Sequence, residues 1–187
     1  MYLMKCCWRG MTAAALLLAL AACSTPPTPA TYAQETPKLD LQQYFNGTLD
    51  AHGIFQDRSG KVVKRFTVVM RASWQGETGI LDEDFTYSDS SRQRRVWTLR
   101  KTAPGRFIGT APDVIGEAIG EVAGNALRWQ YVLALPVDGT VYHVDFEDWM
   151  FLMDDKVMLN RAAMSKFGFS LGAVTLSFSK RPSQAAP

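Results

Sequence analysis

Two acids and two arginines are the residues whose types and spacing could do chemistry: Glu83 with Arg95, and Asp148 with Arg161. An arginine directed into an apolar interior offers charge-assisted, often bidentate hydrogen bonds to a carboxylate or phosphate. With Trp97 beside Arg95, these residues form a candidate ligand-binding set for a fatty-acid carboxylate or a phospholipid headgroup. The same four charges also read as two ion pairs that fix strand register and need no ligand. That plainer reading stands first.

Other constellations are weak. His52 and His143 fall on polar faces without an H-x-x-x-H or H-E-x-x-H spacing, so no metal is expected. Serines are plentiful, but no G-x-S-x-G elbow or triad is recognisable. The run Asp82-Glu83-Asp84 lacks calcium-loop spacing, and strand alternation divides it between two faces. No cofactor or catalytic residue is implied, and the chain is not expected to be an enzyme.

The elements that must position the four charges are strands. Period-two alternation recurs between turn signals: Leu49, Ala51, Gly53 and Phe55 share one face, as do Phe66, Val68, Met70, Ala72 and Trp74. A short helical turn is expected near Asp40 to Phe45, with no long amphipathic helix after it.

Gly116, Gly120 and Gly124 recur every fourth residue. A helix would carry them at a cost of ~1 kcal/mol each, and a phosphate loop would need a following Lys-Ser or Lys-Thr. A hairpin turning at Gly124-Asn125 instead sets Val122 opposite Leu127, Gly120 opposite Trp129, Ala118 opposite Tyr131 and Gly116 opposite Leu133, each small residue covered by a large one. The same register test applied at Ser88 to Ser90 pairs Leu81 with Trp97 and Glu83 with Arg95 inside an apolar face. A two-residue turn at Asp154-Asp155 pairs Met150 with Leu159 and Asp148 with Arg161. The last hairpin turns near Gly168, with Val174, Leu176 and Phe178 inward.

The fold class is therefore all-β: one antiparallel meander of about nine or ten strands, closed into a lipocalin-like barrel. Such a barrel can hold one small ligand. Inward Trp97, Trp129, Tyr131 and Phe146 tend to fill it, while inward Gly47, Ala51, Gly53, Gly116 and Gly120 leave room. Trp129, Tyr131, Met150 and Met164 read as core.

The N-terminus bears on location. Lys5 and Arg9 precede the apolar run Met11 to Leu20, which is too short for a transmembrane helix, and Leu20-Ala21-Ala22-Cys23 follows. This spelling resembles the lipobox of bacterial lipoproteins. The resemblance implies removal of residues 1–22, lipidation of Cys23 and, with Ser24 next, the outer membrane. Cys6 and Cys7 leave with the leader, so no free thiol remains. Loss of Lys5 and Arg9 brings the formal net charge from +2 to zero, which gives no electrostatic reason to bind nucleic acid. Residues 23–37, rich in proline, read as an extended tether of roughly 40 Å. The barrel domain then spans 38–181, and 182–187 form a polar tail.

From Trp97 onward the chain resembles a family of proteobacterial lipoproteins that carry a domain of unknown function. The matching stretches are Gly109 to Ala126, Asp148 to Met150 and Asn160 to Gly168, with Leu81, Glu83, Phe85, Arg95 and Trp97 matching L-x-E-x-F and R-x-W. Members often accompany lipid-modifying enzymes such as cyclopropane fatty acid synthases, which implies work on envelope lipids. Two functions follow: a membrane-anchored, non-catalytic protein binding an acyl chain or another apolar envelope molecule, or a packed-core barrel that acts as a scaffold or partner of a membrane complex.

Overall fold

A computed structural model describes residues 26–137 and 139–182. The expected leader, the lipidation site Cys23 and nearly all of the tail lie outside the described residues. Ten strands follow in order: β1 (Gly47–Asp57), β2 (Val62–Gln75), β3 (Thr78–Tyr87), β4 (Arg92–Ala103), β5 (Arg106–Thr110), β6 (Val114–Ala123), β7 (Ala126–Val137), β8 (Thr140–Leu152), β9 (Val157–Lys166) and β10 (Phe169–Lys180). Each pairs antiparallel with its neighbours in sequence. β1 then pairs with β10 from Leu49↔Lys180 to Asp57↔Gly172, which closes the barrel and leaves no free edge.

The alternation read from the sequence is the alternation of burial. Leu49, Ala51, Phe66, Val68, Met70, Met158 and Phe178 all point into one core, and each strand places about half its side chains there because successive residues face opposite sides. One short helix, α1 (Leu41–Tyr44), lies across one end of the barrel. Asp40 caps it, its carboxylate accepting from the backbone N–H groups of Gln42 and Gln43 at 2.9 and 3.0 Å. Leu41, Tyr44 and Phe45 are buried. The plug is tied to strand ends around that rim. Trp74 Nε1 donates to the Phe45 carbonyl at 2.7 Å, the Tyr44 hydroxyl donates to the Lys156 carbonyl at 3.0 Å, and Lys180 Nζ donates to the Gln43 carbonyl.

The proline-rich stretch departs from an extended tether. Pro29–Tyr32 form a 3-10 turn with Pro29 buried. The Tyr32 ring meets Trp149 and Phe151 edge-on at 5.6 and 5.0 Å, and Leu39 N–H donates to the Gly124 carbonyl at 2.7 Å. Trp149 and Phe151 stack on the outer face of β8, 6.1 Å apart. They need an apolar cover, and this strap supplies it. Gly124 has φ +58° and the strap backbone runs directly over it, so a Cβ there would collide with the Tyr32 carbonyl.

Two register expectations hold and two need correction. β3 and β4 pair Leu81 with Trp97, Glu83 with Arg95 and Phe85 with Gln93. Beside the β6–β7 turn, Val122 faces Leu127 and Gly120 faces Trp129, whose ring would strike a Cβ at Gly120 or Gly109. Farther along, a bulge between Ile115 and Ile119 places Val114 opposite Leu133, leaving Gly116 exposed rather than inward.

The β8–β9 turn is also longer than two residues. Asp154 accepts from the N–H groups of Lys156 and Val157 at 2.8 and 2.7 Å, and Met153 N–H bonds the Val157 carbonyl. Leu152 therefore faces Met158, Met150 faces Asn160 and Asp148 faces Ala162. This one-residue slip turns β9 over. Arg161 lies on the outer face opposite Trp149 and is exposed, so the expected Asp148–Arg161 pair does not form.

Candidate functional site

Five strands and one turn send polar groups into the barrel interior. Glu83 comes from β3, Arg95 from β4, Asp113 from the β5–β6 turn, Tyr131 from β7, Asp148 from β8 and Asn160 from β9. Glu83 and Arg95 are cross-strand neighbours, but the expected ion pair between them does not form, and Arg95 engages Asp113 instead. Its Nε lies 3.0 Å from both Asp113 oxygens and its Nη2 lies 2.7 Å from Oδ2, a bidentate fork. The guanidinium also rests 5.5 Å from the centre of the Phe85 ring.

The acids are less well served. Glu83, Asp148 and Asn160 are only 8%, 7% and 3% exposed. Asn160 Nδ2 reaches Asp148 Oδ2 at 3.4 Å. Among the described residues nothing donates to Glu83 Oε2, Asp148 Oδ1 or Asn160 Oδ1. Burial pushes Glu83 up to about 7, against the pull of Arg95. Burial likewise pushes Asp148 up to about 7, against its Asn160 hydrogen bond and Arg95. The Tyr131 hydroxyl is raised well above its usual range by burial and then by Asp148. Burial opposes the charge on Arg95, but Asp113 and Glu83 outweigh it and its pKa ends above the ordinary value.

Aromatic rings surround this polar set. Trp97 meets Trp129 and Tyr131 edge-on at 5.8 and 5.4 Å, and Tyr131 stacks on Phe146 at 5.1 Å. The rings and the polar groups line a cavity of about 140 Å³ that runs from Leu41 and Phe45 of the plug to Phe55 and Tyr87 near the opposite end. Residues at the plug end are buried and those at the other end only half-buried, so the cavity has a floor and a mouth.

Of the residues expected to bind a ligand, the structure brings together Glu83, Arg95, Trp97 and Asp148, and excludes Arg161. Sequence reasoning missed Asp113 and Asn160. Asn160 lay one residue from the position read as inward and was recoverable from the turn length. Asp113 reaches Arg95 from the turn after the neighbouring strand β5, a juxtaposition that strand alternation does not encode. His52 and His143 are exposed on the outer face. Around Glu83, Asp82 pairs outward with Arg94 and Asp84 with Arg71, each at 2.7 Å.

A family model described as "Protein of unknown function (DUF3833)" matches residues 17–180. No curated protein matches the sequence. Among solved structures, the S-type phycobiliprotein lyase CPES from Guillardia theta is similar at a TM-score of 0.56 and 6% identity, covering 85% of this chain and 100% of that one. A de novo designed fluorescence-activating β-barrel is similar at a TM-score of 0.43 and 12% identity, over 76% and 99% of the two chains. The lyase corrects one expectation. A barrel of this fold carries a protein named as an enzyme, so the lack of a recognisable triad or metal spacing does not make this chain a non-enzyme.

Proposed function

The chain belongs to the DUF3833 family of proteins of unknown function, and within that family we propose that it is a lipid-anchored envelope protein whose barrel binds an acyl chain or another apolar small molecule. The observation that carries this reading is the floored, ring-lined cavity with a few convergent polar groups, the usual form of a small-molecule site. Its volume of about 140 Å³ is close to the ~150 Å³ of an apolar cavity that accepts benzene. One ring or a short alkyl stretch fits inside, and a longer chain extends through the mouth. Phe167 and Phe169, at the mouth, are 86% and 76% exposed, an apolar rim suited to the passage of such a ligand.

The anchor rests on Leu20-Ala21-Ala22-Cys23 behind a basic, apolar leader; two or three acyl chains hold a protein firmly where one is marginal. With Ser24 following, the expected site is the periplasmic face of the outer membrane. The large rings inside the barrel favour a second reading, a packed-core scaffold or partner of a membrane complex. Mass spectrometry of organic extracts from the whole protein, purified from membranes, separates the two. Stoichiometric co-purified lipid or another apolar molecule supports the binding protein; repeated empty extracts, with no uptake of added fatty acid or phospholipid, support the scaffold. A Cys23→Ser chain is expected to lose its acyl label, and retained label would remove the anchor.

A further inference from the structure

Resting on the ligand-binding reading above, we propose that the polar end of the bound molecule is an ammonium group, held by Glu83, Asp148 and Asn160. The family of ligands is therefore cationic amphiphiles, and carboxylates and phosphates are disfavoured.

Three observations carry this. First, the cavity presents buried acceptor atoms left without a partner among the described residues. Glu83 Oε2, Asp148 Oδ1 and Asn160 Oδ1 belong to cavity-lining side chains more than nine-tenths buried, and these three atoms have no donor among the described residues. An ammonium group carries three donors and no acceptor. Second, the single cation of the set is already taken. Arg95 forks onto Asp113 through two nitrogens, so an incoming carboxylate would share that guanidinium with Asp113 and face Glu83 and Asp148. Third, the charges do not balance, with one arginine set against the carboxyl groups of Glu83, Asp113 and Asp148. Burial raises both carboxyls, and the one guanidinium nearby does not offset it. The faces of Trp97, Tyr131 and Phe146 add a wall that attracts a cation.

A metal ion is a poorer occupant. Among the described residues no group of three or more His, Cys, Asp or Glu side chains is arranged to hold one.

The test uses the whole acylated chain in phosphatidylcholine nanodiscs, with empty nanodiscs as the blank. Three probes of equal tail length are titrated against tryptophan fluorescence: octylamine, octanol and octanoate. Octylamine is expected to bind about tenfold or more tightly than octanoate, the size of one charge-assisted hydrogen bond, with octanol between them. A chain carrying Glu83→Gln and Asp148→Asn is expected to lose the preference for octylamine while still binding octanol, which shows that the variant is folded. Octanoate binding as tightly as octylamine, or an amine preference that survives in the double variant, overturns the inference and leaves the ligand-binding barrel standing. No binding of any probe overturns both.

Discussion

Burial costs Glu83 and Asp148 more than Arg95 returns, so both carboxyls are pushed up to about 7. In the unfolded chain they titrate near 4. Between about pH 4 and 7 the native state therefore holds more protons than the unfolded one, and stability falls as pH rises through that window. Above pH 7 the penalty is complete. Glu83→Gln is expected to raise the urea stability of the ligand-free protein at pH 8, by on the order of 2–3 kcal/mol, and to change it little at pH 4. A loss at pH 8 would mean that Glu83 is a paired structural charge after all. Asp113→Asn removes an acid from the same guanidinium with the opposite sign of effect. It leaves a half-buried arginine fork without its partner, and about 2 kcal/mol of stability should be lost in the same titration. The inward position of Glu83 and Arg95 was legible from alternation and one loop length. Their partners were not, since Asp113 arrives from a separate turn and Asn160 depends on the residue count of another.

Among the elements, the registers beside Gly124-Asn125 and beyond Ser88 to Ser90 were readable, and the one beyond Asp154 was not. Gly124-Asn125 leaves a single way to join its strands, and the pairs nearest it follow. The carboxylate of Asp154 gathers two backbone N–H groups and lengthens its turn, which inverts β9. The proline-rich strap was misread for a related reason. Composition describes the freedom of Ser24 to Pro37 but not the stacked pair Trp149 and Phe151 waiting on β8. Tyr32→Ala is expected to uncover that pair, destabilise the barrel by about 1–2 kcal/mol and shift Trp149 emission to the red. Unchanged emission and stability would return the strap to a free tether.

At the scale of the whole molecule, fold class followed directly from period-two patterning, because ten strands with no long helix among the described residues have few other ways to bury one face each. Closure also makes the spatial order of strands the same as the chain order. The two ends of the domain meet at the plug. Arg181 N–H donates to the Thr48 carbonyl at 2.9 Å and its guanidinium grips Asp50, while Pro37, Lys38 and Pro182 border one surface recess. A ring of strands with adjacent ends has no privileged starting point. A circular permutant that joins Pro182 to Pro37 through a short glycine-serine link and opens at Asp89-Ser90 should keep its circular dichroism and unfold cooperatively, forgoing only the contribution of the strap. Its new termini would emerge beside the mouth. Under the lipid anchor proposed above, acylation at those termini would hang the same barrel the other way up, and comparing ligand uptake in the two orientations would test whether the mouth has to face the membrane.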